Sequence, residues 1–298
     1  MFKLIKFIVG FILFLILAAI VFVVVLVVIN WSNKPKKRER ISEKKITDVT
    51  SMTINVDVKD AYVHVKKNKD NSIKDQVKIT YYDCKTRTFD MTEEVDGLNN
   101  ATLTLKGYQT GKWYNRIFFT FNTTKVYGVT IEVPDEVNVN VKTDNGNIRF
   151  EDAYLNVATA DVYNGAVIFK KSNASICSFN TINGNVEVDS SNVGTFYSRT
   201  RKGRVKLENL IALLTIDAAT DNGKVIVTNS YATGNITLHS GKGDVTGTIR
   251  LLSDAYYKII TKAVNGKSNL DNSSTGVAEL NVTTDNGNIN LELRKVLG

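Results

Sequence analysis

Three copies of the tetrapeptide Thr-Asp-Asn-Gly, beginning at Thr143, Thr220 and Thr284, are the first candidates for chemistry in this chain. Carboxylate and amide oxygens beside a Gly occur in calcium-binding loops, where ligands alternate and a Glu is the twelfth residue. The twelfth residue counted from each Asp is here apolar: Leu155, Ala232 and Val296. The same residues also favour turns, because Gly and Asn tolerate positive φ and Asp can accept a backbone hydrogen bond. The sequence favours turns, and weak surface calcium binding stays as the alternative.

Residues for catalysis or for a tightly held metal are few. The chain has two histidines, His64 and His239, and two cysteines, Cys84 and Cys177. The histidines show no spacing that would pair them, and two cysteines are too few for a disulfide framework or a metal-ligand set. Nucleophile-elbow, phosphate-loop, dinucleotide and zincin motifs are missing from the sequence. We therefore expect no enzyme activity, cofactor or metal.

One aromatic stretch could contact a ligand. Tyr108, Trp113 and Tyr114 lie among Gly, Thr and Lys in a predicted loop. Exposed aromatic rings on a loop could stack on sugar rings. The alternative is that Trp113 and Tyr114 pack within the protein.

A glycine period of about 20 residues reveals the elements that carry these residues. Five successive steps between the glycines measure 19, 19, 19, 20 and 20 residues, and the last two measure 23 and 21. Internal periods of this length indicate a repeat architecture. The glycines are Gly146, Gly165, Gly184, Gly203, Gly223, Gly243, Gly266 and Gly287.

Apolar residues recur at fixed offsets from each of these glycines. They occupy the second and fourth positions after it and the seventh and fifth before it, which is the parity of one strand face. Each repeat is therefore two short strands joined by a Gly-containing corner, and stacking buries the shared face. This predicts an all-β parallel β-helix (β-solenoid) with about 20 residues per rung, in preference to a sandwich of hairpins. Cys177 occupies one inward position, so we expect a buried, inert thiol.

The outward positions show no recurring carboxylate pair, so a polysaccharide-active β-helix enzyme is only a minor alternative. The position three before each glycine is mostly Thr or Ser, which predicts a ladder of hydroxyl groups bonded to one another and to the backbone.

Four segments divide the chain. Residues 1–31 form a transmembrane anchor, because residues 7–29 carry no charge and would make about 34 Å of helix against a bilayer core of roughly 30 Å. Residues 32–45 form a basic juxtamembrane stalk. Residues 46–142 form a β region that caps the solenoid, and residues 143–298 form the solenoid repeats.

The positive charge is concentrated beside the predicted anchor. Of the net charge of +8, residues 1–45 carry +7. The bases that follow the anchor suit anionic lipid headgroups, so no nucleic-acid partner is expected. These bases are Lys34, Lys36, Lys37, Arg38 and Arg40. The positive-inside rule would keep the soluble domain in the cytoplasm, but long domains are often translocated regardless of charge.

The residues V-T-I-E-V-P-D-E-V-N-V-N-V-K-T-D-N-G-N-I, 129 to 148, followed by N-G-x-V-x-V rungs, carry a family resemblance. With the N-terminal anchor, they resemble the bacterial DUF4097-type putative adhesin family, over residues 46–298. The resemblance implies a membrane-anchored, non-enzymatic β-helix of the cell envelope, linked in some members to envelope-stress operons. The family has no catalytic motif to transfer, and the basic flank of the anchor departs from an extracytoplasmic placement.

The expected function is that of a single-pass, adhesin-like membrane protein with an extracytoplasmic soluble domain. It would contact the lipid bilayer through residues 7–29 and bind a surface glycan or protein through the rod or its cap loops. The alternative is a scaffold that self-associates on the cytoplasmic side of the membrane.

Overall fold

The computed structural model describes residues 11–25, 35–84, 87–109, 128–251 and 256–295. Residues 11–25 are helical, and a short 3-10 helix spans Ile46–Asp48. The strands of the described residues are, in chain order, β1 (Lys36–Ile41), β2 (Ser51–Asp60), β3 (Val63–Lys67), β4 (Lys78–Asp83), β5 (Arg87–Val95), β6 (Asn100–Gln109), β7 (Val129–Val133), β8 (Val137–Asn145), β9 (Ile148–Glu151), β10 (Tyr154–Asn164), β11 (Val167–Lys170), β12 (Asn173–Asn183), β13 (Val186–Lys202), β14 (Val205–Asn222), β15 (Val225–Ala232), β16 (Ile236–Lys242), β17 (Val245–Leu251), β18 (Tyr257–Ala263), β19 (Ala278–Asn286) and β20 (Ile289–Lys295).

Two parallel sheets form the sides of the solenoid. We call sheet A the strands that precede the corner glycines; their spatial order is β6, β2, β8, β10, β12, the ends of β13 and β14, β16, β19 and β18. Sheet B contains the strands that follow the corners, in the order β7, β3, β9, β11, the starts of β13 and β14, β15, β17 and β20. Pairing is in register from rung to rung, which confirms the all-β solenoid and its period.

The predicted parallel β-helix needs correction at the N-terminal end, where the sheet is mixed. There β1 pairs antiparallel with β4, β4 with β7, and β5 with β6. The β5–β6 connection is a tight turn in which Asp96 caps the backbone N–H groups of Leu98 and Asn100. A short turn can join only antiparallel strands, because a parallel neighbour needs a long crossover.

The central rungs stack in chain order, whereas the end rungs do not. From β8 to β17 each rung pairs with the one 19 or 20 residues further on. At the C-terminal end, β19 lies between β16 and β18, so the corner of Gly287 stands between those of Gly243 and Gly266. At the N-terminal end, β2 lies between β8 and β6. The inner position is thus taken by the later strand at the C-terminal end, where β18 is outermost, and by the earlier strand at the N-terminal end, where β6 lies outside β2.

Two of the predicted segments take part in this stack. Strands β2 and β3, within the segment expected to cap the solenoid, form a rung in register with β8 and β9. Strand β1 lies within the segment expected to be a stalk, and its backbone pairs with β4 over six residues. Its side chains all remain exposed, which explains why their composition resembles that of a linker.

The solenoid core is continuous and aromatic at its centre. Phe150, Phe169, Phe179 and Phe196 are fully buried, and their ring centroids lie 5.5–5.9 Å apart. Cys177 is buried beside them as predicted, and burial raises the pKa of its thiol. Aromatic rings at such distances add to the stabilisation from apolar burial.

Each central rung has a second corner, which the glycine pattern does not show. It is made by a non-glycine residue with φ between 47° and 52°, at Asp152, Lys171, Ser190, Asn209 and Asn229. A short segment then leads back to sheet A, and a register shift separates the two between Leu155 and Val157 and between Val193 and Thr195. We call these segments, residues 153–156, 172–175, 191–194 and 210–214, the third side.

Within the described residues, no helix is both long enough and apolar enough to cross a bilayer. Of the predicted span 7–29, residues 7–10 and 26–29 lie outside the described part. The helix at 11–25 exposes its apolar side chains, Phe14 among them.

Candidate functional site

The Asp-Asn-Gly corners are close contacts between rungs. A Cβ atom built on Gly184 would lie 1.8 Å from the carbonyl oxygen of Gly165, and one on Gly203 would lie 1.9 Å from that of Gly184. No side chain fits at such distances. The glycines are therefore required by packing between successive corners.

The polar side chains of the corners bond to neighbouring rungs. Thr200 Oγ1 donates to the carbonyl oxygen of Gly184 at 2.7 Å, and Thr220 Oγ1 donates to that of Gly203 at 2.8 Å. The Nδ2 of Asn164 donates to Oδ1 of Asn145 at 2.8 Å. The Thr hydroxyls thus bond to backbone carbonyl groups, which is one of the two kinds of hydrogen bond predicted for this ladder. No group of three or more His, Cys, Asp or Glu suited to a metal occurs in the described part of the chain.

Of the three candidate aromatic residues, only Tyr108 lies in the described residues. It is exposed near the end of β6, in the outermost strand of the parallel part of sheet A. Trp113 and Tyr114 lie outside the described residues. The structure therefore does not show these three residues together.

The predicted membrane-flanking bases lie on β1, except Lys34, which is outside the described residues. Lys37 pairs with Glu39 at 2.5 Å, and Arg38 Nε pairs with Asp83 at 3.2 Å. Lys36 and Arg40 have no ion-pair partner among the residues described. Part of the charge on this strand is thus neutralised within the protein.

The outer face of sheet B is covered by ion pairs. Lys66 pairs with Glu132 at 2.8 Å, and Arg149 donates two hydrogen bonds to Glu151, which also contacts His64 Nε2 at 3.3 Å. Burial lowers the pKa of His64, and the Glu151 carboxylate opposes that shift. The Arg149 hydrogen bonds lower the pKa of Glu151.

The same pairing continues along sheet B through Lys170–Asp189, Arg204–Glu187, Lys206–Glu208 and Lys224–Asp244. If a partner covered these ion pairs, both charges of each pair would lose their water. This desolvation would cost more free energy than the new contacts would return. This face is therefore a poor candidate for binding.

An apolar groove of about 740 Å³ runs along the third side. Its floor includes Ala174 and Val193, which are buried, and Gly194. Large apolar side chains stand exposed along it: Tyr154, Ile176, Leu213 and Leu214, with 45–62% of their surface accessible. Exposed apolar side chains that line one groove mark a binding surface more often than scattered ones do.

The register explains why the groove forms. Val193 pairs with Ala212 and Thr195 with Thr215, so Leu213 and Leu214 stand opposite the single residue Gly194. The extra residue protrudes, and it is also the reason why the period changes from 19 to 20. Sequence analysis missed this site; its signal was the apolar Ile176, Leu213 and Leu214 at positions that do not face the core.

The chain matches no curated protein. Three solved structures are similar to it. A "putative cell adhesion protein" from Clostridium sporogenes is 14% identical, with a TM-score of 0.33 over 88% of this chain and 100% of its own. A "putative adhesin" from Bacteroides fragilis is 13% identical, with a TM-score of 0.45 over 87% and 97%. A "putative lipid binding protein" from Parabacteroides distasonis is 12% identical, with a TM-score of 0.42 over 89% and 98%.

A family model described as Toastrack DUF4097 matches residues 51–292. The match covers both sheets from β2 to β20 and so includes the N-terminal rung, the central rungs and the exchanged C-terminal rungs. The chain therefore belongs to the DUF4097 (Toastrack) family.

Proposed function

We propose that this protein is a non-enzymatic, adhesin-like binding protein, tethered to a membrane by its N-terminal segment, whose apolar groove on the third side holds a partner. The observation that carries the proposal is the set of exposed apolar side chains on three of the four rungs that line the groove. Burying Leu213 and Leu214 alone would contribute roughly 1.5–3 kcal/mol for each side chain. The solvated, ion-paired face of sheet B offers nothing comparable.

The rigidity of the rod supports this role. The groove residues belong to rungs whose backbones are paired on both sides, so their positions are set before a partner binds. Preorganisation of this kind reduces the entropy lost on association. The adhesin-like descriptions of the structural relatives agree with such a role but add no residue to it.

Membrane tethering rests on the uncharged run of residues 7–29. A reporter that is active on only one side of the membrane, fused after Gly298, would show where the soluble domain lies. We expect the reporter to be active outside the cytoplasm. Activity in the cytoplasm would favour the scaffold alternative instead.

Site-specific photocrosslinking in intact cells tests the groove. The full chain carries benzoylphenylalanine in place of Leu213, and a matched control carries it in place of Val264, an exposed apolar residue in the corner of the outermost C-terminal rung. We expect a discrete adduct at position 213, lost when Leu214→Asp is added, and none at position 264. Identical adducts at the two positions, or none at position 213, would count against the groove.

A further inference from the structure

A second cluster of polar side chains lies on the outer face of sheet A. It surrounds Ala219, whose neighbours on the adjacent strands are Arg199 and His239. Two strand spacings place Arg199 and His239 roughly 10 Å apart at their Cβ atoms. Ala219 thus forms the floor of a notch with a cationic side chain on one wall and an imidazole on the other.

Acidic and aromatic groups complete the rim of the notch. Asp217 and Asp221 lie two residues before and two after Ala219 on the same strand, and Arg201 lies two residues after Arg199. Tyr197, directly opposite Asp217 in register, exposes 46% of its surface. Gly241, beside Asp221 on the next strand, adds no side chain to the far side, and a Cβ there would lie 2.6 Å from the carbonyl oxygen of Asp221.

These charges differ from those on sheet B because they are not paired. Neither the two arginines nor Asp217 and Asp221 form an ion pair with any described residue. Asp217 is half-buried, and its pKa is raised by burial, although Arg199 and His239 oppose the shift. His239 Nδ1 is 2.8 Å from Thr283 Oγ1, which holds its ring against the next strand. The notch therefore presents arginine and aspartate side chains without ion-pair partners among the described residues, beside an imidazole held by Thr283.

We propose that this notch binds a negatively charged sugar unit, with a carboxylate or phosphate on Arg199 and Arg201, the hydroxyls on Asp217 and Asp221, and the sugar ring on Tyr197. Guanidinium groups bind carboxylate and phosphate in a bidentate manner, and carboxylates accept hydrogen bonds from hydroxyls. A simple anion would gain nothing from the two aspartates, and a neutral sugar would leave the arginines unpaired. This site lies on a different face from the groove and does not depend on it.

Titration calorimetry with the full chain in detergent micelles tests the site. The probes are trigalacturonate and a sugar phosphate, compared with neutral maltotriose and with polyglutamate, an anion without sugar hydroxyls. Binding of either charged sugar at least tenfold tighter than both comparison probes supports the proposal. Equal binding of polyglutamate, or binding of neither charged sugar, overturns it.

Two variants locate the binding on the notch. Arg199→Gln removes one guanidinium, and Ala219→Leu fills the floor without changing any charge; each should weaken the charged sugar tenfold or more. Arg204→Gln is the matched control, because Arg204 lies in the corner just before β14 and pairs with Glu187 on the outer face of sheet B. Unchanged affinity in the folded Arg199→Gln variant, or an equal loss in the control, would also overturn the proposal. If Ala219→Leu unfolds, as circular dichroism would show, the Arg199→Gln result stands alone.

Discussion

The central rungs and the end rungs use the same repeat in different ways. In the centre, the positions seven and five before each corner glycine are buried and, except for Ser198, apolar, and each rung follows its neighbour in the chain. In the outermost C-terminal rung, the inward positions include Thr261 and Ser268, whose hydroxyls bond to each other and to the carbonyl oxygen of Leu270. The terminal rung thus keeps the glycine corner of the repeat but places polar side chains at positions where the central rungs place apolar ones.

This difference shows how a solenoid is terminated. A rung with an apolar open face would recruit another chain, so terminal repeats need a polar outer surface. Thr261 and Ser268 provide it at one end, and the antiparallel strands β1, β4 and β5 cover the other. These caps make end-to-end stacking into a filament unfavourable.

Two isoleucines at the same repeat position should separate the two regions most strongly. Ile216 and Ile259 both lie seven residues before a corner glycine, but Ile216 is 1% exposed, whereas Ile259 is only partly buried. We expect Ile216→Ala to lower the free energy of unfolding by about 2–5 kcal/mol and Ile259→Ala by less than half as much. Urea unfolding of the full chain measures both. Equal losses would mean that something covers the terminal rung.

Much of this contrast was visible in the sequence. The glycine spacing predicted the corners, and the parity of the apolar residues predicted the buried face. The exchange of the last two rungs was hidden, because spacings of 23 and 21 residues fit either order. The second corner was hidden too, because its left-handed residues are Asp, Lys, Ser and Asn rather than Gly.

The binding surfaces were harder to predict than the fold. The groove and the notch are built from outward residues that differ between rungs, so no column of the repeat reveals them. Arg199, Asp217 and His239 become neighbours only when the register of three strands is known.

The corner glycines give the second test. Gly184→Ala should lower the free energy of unfolding by about 1–3 kcal/mol, because the new Cβ would clash with the backbone of the preceding corner. Gly97 in the N-terminal cap has no atom within 4 Å of such a Cβ, so Gly97→Ala should change stability by less than about 0.5 kcal/mol. Thermal and urea unfolding compare the two. A costly Gly97→Ala would show that the cap is as tightly packed as the centre.

The hydroxyl groups three residues before the corner glycines give a third test. The expected change in stability is smaller here and has opposite signs in the two regions. Thr200→Val removes the bond to Gly184 and should cost about 1 kcal/mol. The outermost rung carries Ala263 at the equivalent position, so Ala263→Thr should add a bond to Gly287 and gain a few tenths of that amount. Unfolding curves of the two variants measure these changes. A loss of stability in Ala263→Thr would show that the terminal corner has a different geometry.

The smallest expected effect on stability concerns Asp217, whose partial burial in the central rungs disfavours its charged form. Burial raises the pKa of this carboxyl above its value in the unfolded chain, so the native state favours the protonated form. Its favourable contribution is present below the unfolded pKa, near 3.9, and is lost as the pH rises through the folded pKa. Asp217→Asn should therefore be more stable than the wild type at pH 7, by less than about 1 kcal/mol because the group is only half-buried, and no more stable below pH 4.

Unfolding curves at pH 3.5 and pH 7 measure this difference, with Asp285→Asn as the control. Asp285 is an exposed Asp on the same face of sheet A, in the rung next to the terminal one, and its replacement should change stability by less than about 0.5 kcal/mol at both pH values. A destabilised Asp217→Asn at pH 7 would show that the carboxylate stabilises the rod through Arg199. A stabilised variant that has lost affinity for charged sugars would show that the rod gives up stability at this position in return for binding, since a purely structural residue would have no reason to remain there.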